Sequence, residues 1–206
     1  MSQFFYVHPD NPQKRLLKQA VEIINNGGVI VYPTDSGYAL GCHLGDKKAL
    51  ERICQIRNID KEHNFTLVCQ DLSQLSEYTR VDNSAYRLLK HNTPGAYTFI
   101  FKGSKEVPKR LLNPKKKTIG IRIPDNNICQ ALLEELAEPI MSTSLIMPGA
   151  SMAENDPEQI RDLLEHQVDL IINGGYISEH PTTVIDFSND DIEILRVGEG
   201  DPSPFK

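Results

Sequence analysis

Val29-Ile30-Val31-Tyr32-Pro33-Thr34-Asp35-Ser36-Gly37-Tyr38-Ala39-Leu40-Gly41 is the stretch on which the fold turns. Its first four residues are β-branched or aromatic, without alternation, as in a strand buried on both faces. Pro33 ends the run, and hydroxyl, carboxylate and glycine residues follow. This succession puts hydroxyl donors and open backbone N–H groups at a strand end, where α/β sheets bind ligands. A Pro-Thr-Asp turn in which Asp35 bonds only its own backbone is the plainer reading, and spacing alone favours it.

Upstream, Asn11 and Pro12 read as an N-cap and first-turn proline. Leu16, Leu17, Ala20, Val21, Ile23 and Ile24 form the apolar stripe of a first helix, which Gly27 and Gly28 end. Downstream, Asp46 caps a second helix to about residue 58, with Ala49, Leu50, Ile53, Cys54 and Ile56 on its apolar side. Strand-like runs follow at 65–69, 97–102, 118–123, 140–144, 168–172, 182–187 and 192–197, and helix-like runs at 82–91, 126–137 and 157–167. Interleaved strands and helices predict an α/β layered fold, and the closely spaced later strands predict a mixed sheet. With no repeat or linker, residues 1–206 read as a single domain.

The composition, 39% hydrophobic and 24% charged, is that of a globular chain. No apolar run approaches the roughly 20 residues of a membrane helix. The N-terminus lacks the basic start and apolar stretch of a signal peptide, so the expected location is the cytoplasm. Cys42, Cys54, Cys69 and Cys129 form no Cys-x-x-Cys pair and sit in apolar contexts, as small core residues do. The histidines show no metal-ligand spacing, so no dedicated protein metal site is expected.

The net charge of −6 conceals a segregation. Between 102 and 122 stand Lys102, Lys105, Lys109, Arg110, Lys115, Lys116, Lys117 and Arg122, opposed only by Glu106, whereas the C-terminal quarter is acidic. Such a run is either a solvated loop or a local field for a polyanion such as RNA, even on an acidic protein.

Five separated blocks resemble the motif set of the YrdC/YciO family. They are 27–41 (GGVIVYPTDSGYALG), 93–99 (TPGAYTF), 120–124 (GIRIP), 142–149 (STSLIMPG) and 181–186 with Leu195-Arg196 (PTTVID … LR). They stand in the family's order and span most of the chain. His63-Asn64-Phe65-Thr66-Leu67 and the Pro-Gly closing the Ser-Thr-Ser block are similar to the YciO branch.

The resemblance implies a twisted mixed sheet with flanking helices and a concave basic cleft. Synthase members join L-threonine, bicarbonate and ATP into threonylcarbamoyl-AMP, releasing pyrophosphate, for modification of an adenosine in tRNA. ATP with Mg2+, L-threonine and bicarbonate are thus the implied small partners, and double-stranded RNA or tRNA the implied large one. The RNA contacts fall to Lys102, Lys105, Lys109, Arg110, Lys115, Lys116 and Lys117. Carried over by position, Thr34 and Ser36 become threonine-side or metal-side contacts, and Arg122 the arginine of the strand lining the cleft. Ser142, Thr143 and Ser144 match the loop that touches the nucleotide, and Arg196 with Thr183 the distal phosphate or ribose side. Arg57 and Thr34 take the catalytic positions. Such chemistry needs cations and oriented donors rather than a covalent nucleophile, because charge develops on phosphates.

Two departures stand against the matches. Synthases carry Lys-x-Arg-Pro after the second helix, where this chain has Arg57-Asn58-Ile59-Asp60, with Lys61 beside it. After Ser-Thr-Ser they continue with Ala-Asn, where this chain has Leu145-Ile146. An aliphatic chain cannot replace a guanidinium fork. The reading is therefore a YciO-type protein that binds double-stranded RNA or tRNA, with a nucleotide pocket of weak or altered activity. The alternative is a working L-threonylcarbamoyladenylate synthase. A hydrolase or transferase ranks last, since no Gly-x-Ser-x-Gly motif is present.

Overall fold

The structure, a computed structural model, describes residues 1–60, 63–178 and 180–206. Along them run β1 (Gln3–Tyr6), α1 (Lys14–Asn25), β2 (Ile30–Thr34), β3 (Gly37–His43), α2 (Lys47–Arg57), β4 (Thr66–Val68), α3 (Leu72–Tyr78) and α4 (Asn83–Asn92). They continue as β5 (Tyr97–Lys102), β6 (Thr118–Arg122), α5 (Asn127–Leu136), β7 (Ile140–Ser144), α6 (Pro157–Leu164), β8 (Leu170–Asn173), β9 (Thr183–Asp186) and β10 (Glu193–Arg196). No helix among the described residues is long and apolar enough to cross a membrane.

The strands form one sheet in the order β1-β8-β2-β3-β7-β4-β6-β5-β9-β10. It is mixed, as expected: β1–β8, β2–β8, β4–β6 and β5–β9 are parallel and the other pairs antiparallel. The run that began at Val29 does not stop at Pro33. β2 continues to Thr34 and folds back through Asp35-Ser36 into β3, pairing Pro33 with Tyr38 and Thr34 with Gly37. Pro33 is tolerated because β8 pairs with β2 only at Ile30 and Val31, so the missing N–H breaks no ladder bond. Gly37, with φ +98°, takes the left-handed backbone that closes this tight hairpin.

The first helix begins later than Asn11-Pro12 suggests. Gln13 is its N-cap and makes no capping bond, because its side-chain oxygen accepts instead from the His8 N–H at 3.1 Å. Asp46 caps α2 as expected, accepting from the Ala49 N–H at 2.8 Å. β1, β3 and α3 were not anticipated. β1 is a short edge strand specified by a distant partner, and α3 buries only Leu75.

Two apolar clusters sandwich the sheet. One face carries Val31, Leu40, Leu67, Phe99, Ile121 and Ile185 from the strands, met by Ile53 of α2, Leu75 of α3, Leu89 of α4 and Ile160 of α6. The other cluster joins α1 and α5 to Ile30, Tyr32, Ala39, Ile140 and Leu170. It stops at Val68 of β4. Beyond that strand, the second face of β4, β6, β5 and β9 has no helix over it among the described residues. Alternation still points side chains there, and most are polar or small, Thr66, Thr98, Thr118, Gly120, Thr182 and Asp186, with Ile100 and Val184 among them.

Candidate functional site

The uncovered half-face is the floor of a cleft of about 500 Å³. That volume suits a nucleotide-sized ligand. Gly120 keeps the floor low, since a Cβ there would lie 3.1 Å from Thr66 and 3.4 Å from Thr98. Among the described residues, four cationic side chains line the cleft, Arg57, Lys116, Arg122 and Arg196, with one carboxylate, Asp186, and one imidazole, His63. Ile100, Ile146, Val184 and Leu195 supply apolar wall.

Arg122 ends β6 and is only 5% exposed. One of its terminal nitrogens donates to Asp35 at 2.5 Å and to the Ser36 hydroxyl at 2.8 Å, with the Thr34 hydroxyl at 3.4 Å. Asp35 therefore does more than stabilise its own turn. Its other oxygen accepts from the Asp125 N–H at 2.8 Å, which clamps the carboxylate in place. Thr34 and Ser36, expected to touch the ligand, are buried and do not line the cavity. They stand behind Arg122 and aim it. The Arg122 Nε is buried with no hydrogen-bond partner among the described residues.

Arg57 is the last residue of α2, released at Asn58, whose φ of 50° terminates the helix. It donates to the Thr143 hydroxyl at 3.1 Å and to the Ser144 carbonyl, and its Nε is likewise buried with no partner among the described residues. Burial works against its charged form. The same holds for Arg196, where the charge of Arg122 adds to the effect. A guanidinium does not give up its proton at ordinary pH, so this stress favours a bound anion.

Ser142, Thr143 and Ser144 all line the cleft. The Ser142 hydroxyl is engaged within the sheet, donating to the Leu40 carbonyl at 3.1 Å and lying 2.7 Å from the Tyr32 hydroxyl. On β9 the expected residue is one position off. Thr183 is fully buried on the core side, donating to the Gly200 carbonyl and accepting from the Gly198 N–H. Its neighbour Thr182 lines the cleft, bonded to Arg196 and to Thr98. Alternation decides this, and a one-residue offset reverses the face.

The expected RNA-binding side chains, Lys102, Lys105, Lys109, Arg110, Lys115, Lys116 and Lys117, are all exposed, on β5's end and the connection to β6. They do not share one direction. Lys116 lines the cleft with its Nζ 4.0 Å from Asp186, while Arg110 turns to the Gly45 carbonyl before α2.

Of the two departures, only Ile146 lines the cleft. Ile59 packs against the core and borders a separate groove with Leu50 and Cys54, because its N–H closes back on the Cys54 carbonyl at 3.0 Å. Its aliphatic side chain therefore forms no part of the cleft wall. Lys61 lies outside the described residues. His63, Thr182 and Asp186 were not chosen from the sequence. The threonine and aspartate could have been found from the alternation of PTTVID, whereas His63 sits in a connection with no period. Among the described residues no group of three or more His, Cys, Asp or Glu is placed to hold a metal ion.

A mixed ten-stranded sheet with flanking helices and an arginine-lined cleft defines the chain as an α/β protein, and the comparisons give its family. The Sua5/YciO/YrdC family model, described as telomere recombination, matches residues 22–198, so the chain belongs to that family. It is 65% identical over 205 residues to YciO of Escherichia coli, covering 100% of both chains. The crystal structure of that protein superposes with a TM-score of 0.96 at 64% identity, again over 100% of both chains. A threonylcarbamoyl-AMP synthase of Vibrio vulnificus is 27% identical over 186 residues, 88% of this chain and 98% of that one. Sua5 of P. abyssi, solved with L-threonine, shares the fold with a TM-score of 0.88 at 23% identity, over 96% of this chain and 58% of that one.

Proposed function

We propose that this protein is a YciO-type member whose cleft binds ATP or a related adenylate with weak or altered activity, and whose basic 102–117 segment engages double-stranded RNA or tRNA. The observation that carries the nucleotide reading is a pair of incompletely partnered guanidiniums on the cleft, buried Arg122 and half-buried Arg57, each with a buried Nε that has no hydrogen-bond partner among the described residues. An unpaired buried donor costs about 1–3 kcal/mol, more when charged, and phosphate oxygens relieve that cost. Magnesium would arrive on the triphosphate, as it commonly does, held mainly by phosphates and water. The chain's own part is to position phosphates and exclude water, with Ile146 in place of an amide reducing the polar contacts to the second substrate.

L-threonylcarbamoyladenylate synthase is the second reading, and one observation supports it: Ile59 borders a separate groove, so of the two substituted positions only Ile146 stands in the cleft wall. The test is ATP binding by calorimetry, followed by mass detection of threonylcarbamoyl-AMP from ATP, L-threonine, bicarbonate and magnesium, comparing the native protein with Ile146→Asn. Binding with little native product, raised in the variant, is the expected result. Rapid native turnover would establish the second reading instead, and failure to bind ATP would remove the nucleotide pocket from both.

A further inference from the structure

His63 stands on the cleft wall beside Arg57, and neither the fold nor the phosphate contacts proposed above require it. Its Nε2 lies 3.3 Å from the Thr143 hydroxyl, which also accepts from Arg57 at 3.1 Å. Thr143 therefore couples the two side chains: its lone pair is engaged by a permanent donor, and its proton can point to the imidazole. The edge of the ring rests against Phe65, centroids 5.4 Å apart at 72°. His63 is thus in contact with Thr143 and Phe65 and still lines the cleft.

Resting on the nucleotide reading of this cleft, we propose that His63 is a proton-coupled anion ligand. As a phosphate oxyanion settles beside Arg57, the imidazole takes one proton from solvent and donates to that oxyanion, so nucleotide binding tightens as pH falls. In the free protein, burial and then the charge of Arg57 hold the imidazole below its ordinary range, with Asp60 opposing them. From α2 it faces Arg57, from its own connection Asp60, from β7 the Thr143 hydroxyl, and across the cleft Lys116, Arg122, Arg196 and Asp186. Its chain neighbours Lys61 and Glu62 lie outside the described residues. A bound phosphate offsets the charge of Arg57, which removes one of the two influences against protonation and adds an acceptor. The sign follows: affinity rises as pH falls from the bound-state pKa to the free-state pKa and is level outside that window.

The experiment is calorimetric titration of ATP into the native protein and His63→Gln, in two buffers of different ionisation enthalpy, across neutral and mildly acidic pH. ATP's own phosphate titration is common to both proteins and subtracts. The native protein is expected to take up as much as about one more proton per ATP than the variant. Its affinity advantage should grow by up to about tenfold per pH unit lowered within the window. The imidazole resonance missing from the His63→Gln spectrum should show its midpoint moving upward when ATP is added. Equal proton uptake by both proteins, or a variant weakened by the same factor at every pH, would overturn the proposal while leaving the nucleotide pocket standing. Failure of ATP to bind either protein would overturn both.

Discussion

Arg122 and Asp35 form the pair on which the cleft's charge rests, their side chains 6% and 10% exposed and 2.5 Å apart. Removing one partner strands the other in a dry setting, a change that costs about 3–5 kcal/mol. Arg122→Met is accordingly expected to lose about that much stability in a urea titration and to stop binding ATP. A wild-type urea midpoint would show that Asp35 is hydrated after all. Arg122 itself was legible in GIRIP, but its partner was not, because the two are 87 positions apart and only folding joins them. The cysteines behave as their apolar contexts suggested. Burial pushes the Cys42 thiol up to about 12 and those of Cys69 and Cys129 higher still, while Cys54 is only partly covered. A thiolate-specific reagent on the native protein should therefore label Cys54 first, and the other three at comparable rate only after unfolding. Early labelling of Cys129 would contradict its burial on the sheet-facing side of α5.

At the scale of the element, β9 divides its work by alternation. Thr182, Val184 and Asp186 look into the cleft, whereas Thr183 and Ile185 look into the core. Thr183→Val deletes a fully buried hydroxyl that bonds both the Gly200 carbonyl and the Gly198 N–H, leaving two backbone groups unsatisfied. It is expected to destabilise by about 1–3 kcal/mol in a denaturant melt. Thr182→Val should cost less stability, but it removes a hydroxyl partner of Arg196 and should alter ATP affinity. The reverse ranking of the two variants would mean that the register of β9 is one residue from that described. The strand was legible in PTTVID; its facing was not, since one residue of register separates the two assignments. The α2 cap was legible to the residue. Asp46→Ala should cost about 1 kcal/mol, read as a lower thermal midpoint.

For the whole molecule, the decisive feature is a sheet whose first face is covered by helices and whose second is covered only as far as β4. The uncovered half carries the cleft, and Lys116 joins that cleft to the exposed basic connection before β6. If the connection engages RNA phosphates, each neutralised phosphate adds to the salt dependence of binding. Replacing Lys115, Lys116 and Lys117 together by Gln should weaken double-stranded RNA binding. It should also flatten the plot of log affinity against log salt by about 0.7–0.9 for every phosphate left without its lysine. An unchanged slope in a filter-binding or gel-shift series would move the RNA contact away from this segment.

The sequence alone determined the class of fold, most helices and strands, the Asp46 cap of α2 and the ordered motifs that carry the family likeness. Each of these is set by neighbouring residues through periodicity, turn chemistry and capping. Tertiary structure decided what lies opposite what. It placed Thr34 and Ser36 behind Arg122, turned Thr183 to the core and Thr182 to the cleft, set Ile59 outside the cleft wall and brought His63 to Arg57. Those outcomes depend on strand register and on how α2 ends, and both are fixed by packing between segments far apart in the chain. Local sequence specifies the elements; burial of the sheet's two faces, one complete and one partial, specifies the site.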